Sequence, residues 1–312
     1  FYSCESWLNV TPSDRLSEEM LFNDREGFVK ALNGVYIELN TNELYGRNLT
    51  AGALDVMGQY YSVASSSHAF YNYGGLVYTG NDEKALFDNM WQKCYAVIAC
   101  CNTIIEKCDE NKAGLSPVWK GSIKGEALAL RAMLHFDMLR LFGPLTSELD
   151  KESIPYQTNS DQTVTPLLSG SEVIGLILDD LKNAVGLLKD TDPYFVEEEF
   201  SDTDLNYRRF RMNYFAAKGL MARVQLWGGD KEKAAITAKE VIAEGQAEGA
   251  EFFPFVTNSE ATSSNPDRVF YSEVLFGTYH SSREKLHEDL FAPTLESTSI
   301  LTLAGTARRD DL

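Results

Sequence analysis

The feature that most constrains the fold is a helix, tight turn, helix signature between residues 211 and 245. Ala217, Leu220, Val224 and Trp227 share one helix face. Gly228, Gly229 and Asp230 interrupt the period, and Ala234, Ala238, Val241 and Ile242 resume it. Small residues such as Ala222 and Ala234 let two such helices approach closely. A pair of this kind cannot bury both apolar faces by itself, so about three or more units must stack.

Further candidates lie at residues 86 to 108, 122 to 142 and 171 to 189. Trp91, Tyr95, Ile98, Asn102 and Ile105 keep a helical period that ends at Asp109, Glu110, Asn111 and Gly114. Ala127, Leu130, Leu134, Met138 and Leu141 form a second stripe, expected to stop with Gly143 in the left-handed region before Pro144. Ile174, Leu178, Leu181, Val185 and Leu188 form a third. Upstream, Phe28, Leu32, Val35 and Leu39 make an amphipathic helix with Asn23 or Asp24 as its cap. The spacing from Lys218 to Gly245 matches a tetratricopeptide (TPR) repeat. The expected fold is therefore mainly α: TPR-like helix pairs stacked in a superhelix, with long irregular loops, as a single domain over 1–312. The TPR-like helices are placed at about 86–245 and a loop-rich region at 246–312.

Two stretches escape the helical pattern. Leu44 to Asp82 fills with Gly, Ser, Asn and Tyr, including Ser65 to Ser67 and Gly74 with Gly75. Beyond Gly249, short aromatic or β-branched runs, Phe252 to Val256 and Val269 to Phe276, alternate with Ser, Asn and Pro clusters.

Lys and Arg number 28 against 46 Asp and Glu, a net charge of −18 that repels nucleic acid and anionic headgroups. No apolar run approaches the roughly 18 residues needed to span a bilayer as a helix. Of the five cysteines, Cys94, Cys101 and Cys108 recur every seven residues on one helix face, too far apart to bridge, and read as buried thiols.

No Walker A loop, dinucleotide-binding glycine motif or nucleophile elbow is present, so no catalytic residue and no cofactor is assigned, and the chain reads as a binder and not an enzyme. His280, Glu284 and His287 have helical spacing but no zinc-protease signature, and no metal site is assigned to them. His135 sits beside Phe136 in an apolar helix and reads as a core histidine. Asp202, Asp204 and Asn206 imitate the start of a calcium loop, but Tyr207 stands where a glycine must turn and Asn213 where a glutamate must close. Arg208, Arg209 and Arg211 form the densest basic patch, with Glu197, Glu198 and Glu199 as the expected partners.

The rings at Tyr60, Tyr61, Phe70, Tyr71, Tyr73 and Tyr78 have no helix face to fill. Sugar rings present C–H faces that stack on tyrosine, and Asp55, Gln59 and Asn72 can hydrogen-bond hydroxyls. The candidate ligand set is Asp55, Gln59, Tyr60, Tyr71, Asn72, Tyr73 and Tyr78. The plainer reading is that the rings pin the loop to the scaffold. Two other functions compete: a TPR adaptor gripping a peptide or protein, and a glycosidase, which would need two carboxylates roughly 5 to 10 Å apart.

Several segments together resemble the RagB/SusD family of outer-membrane lipoproteins. They are Phe22-Asn23 through Ala31 to Tyr36; Trp91 with Tyr95, Ile98 and Asn102; Gly125-Glu126-Ala127 through Leu130-Arg131-Ala132 to Gly143-Pro144; Ile177 with Asp180, Leu181 and Ala184; and Ala217 through Ala222-Arg223-Val224 to Gly229-Asp230 and Ala234. The resemblance implies a SusD-like fold and a surface-exposed, nutrient-binding role, commonly for glycans. It further implies lipidation at Cys4, a membrane anchor at the cell exterior and delivery of oligosaccharide to a SusC-like TonB-dependent transporter. Chains of this family usually continue well past the point where Arg308 to Leu312 ends this one, so the expected domain is incomplete at its C-terminus.

Overall fold

The computed structural model describes residues 18–305 apart from 162, 197, 198, 202, 203, 205, 248 and 249. Cys4, and the C-terminal stretch from Arg308, fall outside the described residues.

A short α1 (Glu18–Leu21) leads into α2 (Arg25–Leu39), which Asp24 caps by accepting from the Gly27 amide at 2.9 Å. After α3 (Ala53–Met57) and α4 (Tyr71–Gly74) come the long α5 (Asn81–Glu110) and α6 (Pro117–Phe142). They are followed by α7 (Gly170–Thr191), α8 (Tyr214–Trp227) and α9 (Lys231–Gly245). Helix α5 starts ten residues before its apolar stripe, with Asp82 and Glu83 in the first turn where the helix dipole favours acids. Asn111, at φ 45°, closes it in the left-handed conformation. Helix α6 ends differently from expectation. Gly143 lies at φ −84°, ψ 179°, extended and not left-handed, because the ring of Pro144 excludes compact conformations from the residue before it. The turn between α8 and α9 does use a left-handed glycine, Gly229 at φ 90°, and Asp230 then caps α9.

Each long helix packs on the next, α5 on α6, α6 on α7, α7 on α8 and α8 on α9, while α2 lies across α5 and α6. This is the stacked, mainly α, TPR-like arrangement read from the sequence. Helix α6 is its axis, buried on nearly every side. Gly121 and Gly125 allow the close crossing with α7: a Cβ on Gly125 would stand 2.7 Å from Leu188 Cγ, and one on Gly121 2.5 Å from Thr191 Cγ2.

Two buried ionic networks bind the stack. Arg131 donates to both oxygens of Asp180 at 2.7 Å and to Asn102 at 2.9 Å, joining α5, α6 and α7. Asn102 in turn donates to the carbonyls of Gln157 and Asn159. Arg208 donates to both oxygens of Asp192, at 2.9 and 2.7 Å, and to Glu126. Glu126 also accepts from Arg211 at 3.0 Å and from the Tyr36 hydroxyl at 2.7 Å. Burial alone pushes the Glu126 carboxyl up, but the two guanidiniums outweigh it and hold the carboxyl below its ordinary range.

The arginine patch finds other partners: Arg208 and Arg211 turn inward to Glu126 and Asp192, while Glu199 accepts, among the described residues, from the Ser116 hydroxyl at 3.5 Å. Glu197 and Glu198 lie outside the described residues. Asp202 of the calcium-like run also lies outside them.

His135 is a core histidine as read. Its Nδ1 lies 2.9 Å from the Arg131 carbonyl, and its Nε2 accepts from the Gln157 amide at 3.0 Å, so Nδ1 carries the proton. Cys94, Cys101 and Cys108 are buried and unbridged, and burial pushes their thiols up.

After α9 the described residues run in loops around α10 (Asn258–Ala261) and α11 (Arg283–Leu290). The latter has only Leu286 and Leu290 as an apolar face, too sparse a stripe to announce a helix. No helix among the described residues is long and apolar enough to cross a membrane.

Candidate functional site

The segment from Leu44 to Asp82 is irregular, as its sequence suggests, yet it has a core of its own. Ala53, Val56, Phe70 and Tyr73 bury themselves with Leu290 and Leu301 from the other end of the chain. Leu86 and Phe87 of α5 touch both this small core and the main one. Tyr61–Ser62 pairs antiparallel with Thr302–Leu303, and the ring of His280 bonds the Gly46 carbonyl at 2.8 Å. His280 precedes α11, and its Nδ1 accepts from Ser282, so it does not share a helix face with Glu284 and His287.

This packing sorts the candidate ligand residues. Tyr60, Tyr71 and Tyr78 are exposed, at 52%, 43% and 37%. Tyr73 is not: it is 2% exposed, its ring packs edge-on against Phe70 and Phe87, and its hydroxyl faces the Asp82 carbonyl. Burial, with Glu83 and Asp82 nearby, pushes its phenol up to about 12. For Tyr73 the plainer reading holds; the ring pins the loop because Phe70, Phe87 and Val56 leave it an apolar slot. Gln59, at φ 64°, turns its amide inward to the Gly74 carbonyl at 3.0 Å. Asp55 is half-buried, which raises its pKa. Asn72 is exposed and donates to Glu83 at 2.8 Å.

Tyr71, Asn72 and Tyr73 come together on the wall of a cleft of about 730 Å³. Arg47, His68, Asp82, Glu83, Asp289 and Ser299 are among the other polar residues that line it. Asp55, Gln59, Tyr60 and Tyr78 belong to the same lobe but not to this wall. Arg47, His68, Asp289 and Ser299 were missed by sequence reasoning; they come from separate segments, and no local pattern links them.

A second cleft, about 610 Å³, lies between α6, α8 and the loop at Tyr45, with Trp227 and Phe136 on its wall. Its central carboxylate, Asp137, is already committed to the Tyr45 hydroxyl at 2.6 Å and to Arg140 at 3.1 Å. A further group of rings, Tyr207, Phe210, Tyr271 and Tyr279, lies 5.7 to 6.2 Å apart by centroid. Arg209 fixes that loop from beneath, its guanidinium against the rings of Phe253 and Tyr271 while donating to the carbonyls of Phe252 and Tyr271. The sequence marks Val269 to Phe276 only as an aromatic run in a loop.

Comparison with known proteins bears on the whole arrangement. A SusD-like family model, described as "Starch-binding associating with outer membrane", matches residues 6–226. SusD-like protein P2 of Formosa agariphila is 25% identical over 242 residues, 75% of this chain and 42% of that protein. A SusD-like protein of Bacteroides ovatus is 30% identical over 146 residues, 46% of this chain and 23% of the relative. The chain thus spans less than half the length of the curated relatives it matches. Among solved structures, a SusD superfamily protein from Bacteroides thetaiotaomicron superposes with a TM-score of 0.62 at 20% identity, covering 90% of this chain and 60% of that one. A SusD-like carbohydrate binding protein from Bacteroides vulgatus gives 0.60 at 24% identity, covering 76% and 47%. Gly125, Glu126, Arg131 and Asp180, among the residues on which the sequence resembles this family, help to hold the helical stack together. With a family match over more than half of its length and the same helical stack in solved members, the chain belongs to the SusD-like family.

Proposed function

We propose that this chain captures an oligosaccharide in the cleft walled by Tyr71 and Asn72. The observation that carries the reading is the cleft itself, about 730 Å³, in a chain whose family model is described as starch-binding. It offers an exposed aromatic ring, carboxylates to accept from hydroxyls and an arginine to donate, the combination that orients a polyhydroxylated ligand. Tyr60 and Tyr78, exposed on the same lobe, add ring faces for a longer chain. Tyr73, Gln59 and Asp55 act from behind by holding the lobe in shape.

In the fuller reading the chain is a lipoprotein anchored through Cys4, facing the cell exterior, that passes its glycan to a SusC-like TonB-dependent transporter. Family membership and the junction around Cys4 support it. The glycan is held and not cut, so incubation with the protein leaves the chain length of a bound glycan unchanged by chromatography.

The test is a glycan array followed by calorimetric titration of the best-bound oligosaccharide. Tyr71→Ala combined with Asn72→Ala lowers affinity by roughly tenfold or more, the scale of one stacked ring and one hydrogen bond. Unchanged affinity in that variant and in Tyr60→Ala with Tyr78→Ala places the site elsewhere.

A further inference from the structure

The cleft contains one buried polar group that the fold does not satisfy. His68 is 5% exposed and lines the cleft. Its Nδ1 accepts a hydrogen bond from the Phe70 amide at 3.0 Å, so Nδ1 is the unprotonated nitrogen of a neutral ring and Nε2 carries the hydrogen. That Nε2–H is buried and has no partner among the described residues. A buried donor left unpaired is costly, and His135 in the same chain shows the usual outcome, with both ring nitrogens bonded to backbone. The chain folds around His68 so as to fix its tautomer by one edge and leave a directed donor at the other.

The charges around it say what kind of acceptor the donor meets. Among the described residues, Asp82, Glu83 and Asp289 stand on the cleft wall against one arginine, Arg47. Glu83 is itself buried and accepts from Asn72. A ligand bearing carboxylates or sulfates would meet an excess of like charge, whereas hydroxyls can donate to these carboxylates and accept from His68.

We infer that the cleft selects a neutral oligosaccharide and that His68 reads it, donating from Nε2 to a hydroxyl or ring oxygen of the sugar. The inference rests on the oligosaccharide reading above and assigns the ligand's charge class and one further specificity residue.

The experiment titrates the 312-residue chain calorimetrically with maltoheptaose, cellohexaose and xylohexaose as neutral probes. Oligogalacturonate and a chondroitin sulfate hexasaccharide serve as anionic ones. His68→Phe keeps the ring and removes the donor; His68→Gln places an amide N–H where Nε2 stood. The expected result is that at least one neutral probe binds and neither anionic probe does. His68→Phe then weakens binding by roughly tenfold, while His68→Gln stays within about threefold of the parent. Long-range proton–nitrogen spectra of the parent show Nε2 as the protonated nitrogen, and its resonance moves on addition of the bound probe, a readout that a purely structural role would not produce.

Tighter binding of an anionic probe overturns the charge assignment. Unchanged affinity in His68→Phe, with Tyr71→Ala and Asn72→Ala still weakening binding, overturns the role of His68 and leaves the oligosaccharide reading standing. Should His68→Phe fail to fold, a stationary Nε2 resonance under saturating ligand overturns it equally. A parent chain that binds no probe and no array glycan removes both readings together.

Discussion

In the helical stack charge is buried and paired; in the cleft lobe charge is left facing outward and one donor is left unpaired. Arg131 is held by Asp180 and the Asn102 amide oxygen and Arg208 by Asp192 and Glu126, and the apolar stripes of α5 to α9 close around them. The lobe from Ala53 to Tyr78 has instead a few apolar anchors, with Tyr71, Asn72 and His68 at its rim. The ionic groups at the centre of the stack are satisfied internally, although Trp119 Nε1 and Asn40 Oδ1 are buried without a partner among the described residues. In the lobe the unpaired donor, His68 Nε2, lies instead on the wall of a cleft, the arrangement on which the proposed binding rests.

The largest test of this contrast is Arg208→Ala. It leaves Asp192 buried without its counter-charge and Glu126 with Arg211 as its remaining cation, and lowers unfolding free energy by about 3 to 5 kcal/mol in urea titration. A loss below about 1 kcal/mol would show that the network is not what holds the stack. Next is Tyr73→Ala, which empties a slot in the small core at a cost of about 3 kcal/mol. Hydrogen exchange should show the loss confined to residues 53–78 and 286–303, with amides of α6 and α7 still protected. If the helical amides loosen equally, the two regions are one cooperative unit and the contrast fails.

Gly125→Ala drives a methyl to 2.7 Å from Leu188 Cγ and costs about 1 to 3 kcal/mol, seen as a lowered melting temperature with oligosaccharide affinity unchanged. The pH dependence follows from His135, whose pKa burial depresses from 6.5 to about 3, with the Arg131 charge adding to the effect and the hydrogen bond to the Arg131 carbonyl opposing it. Below pH 6.5 the unfolded chain takes up a proton that the folded chain refuses. Stability is therefore full above that pH and falls toward pH 3 by at most about 1.4 kcal/mol per unit. His135→Gln should lack this slope. The smallest effect on stability is that of Tyr71→Ala, within about 0.5 kcal/mol, because the ring is exposed; only ligand affinity changes.

The same contrast explains what could be read in the sequence. Helices α2 and α5 to α9 were legible because a buried helix face repeats every three or four residues, and Asp24 and Asp230 mark where α2 and α9 begin. The conformation of Gly143 was misjudged, since Pro144 governs it more strongly than the usual helix-ending habit of glycine. The partners of Arg208 were misjudged because Glu126 lies 82 residues away, beyond any local charge pattern. The cleft was half legible. Aromatic residues in a glycine- and serine-rich stretch pointed to the lobe that carries this cleft, but nothing local separates Tyr71, which faces out, from Tyr73, which faces in. His68, Arg47 and Asp289 carry no periodicity that could announce them.

One consequence of the small core concerns the order of assembly. Thr302 bonds the Ser62 carbonyl and His280 the Gly46 carbonyl, across 240 and 234 positions of sequence. Helices α5 to α9 pack on their sequence neighbours and can form as each emerges from synthesis, whereas the lobe waits for partners made more than two hundred residues later. Until residues 280 to 303 arrive, the rings around Tyr73 lack the cover of Leu290 and Leu301, and the nascent chain carries an uncovered apolar surface beside the proposed cleft.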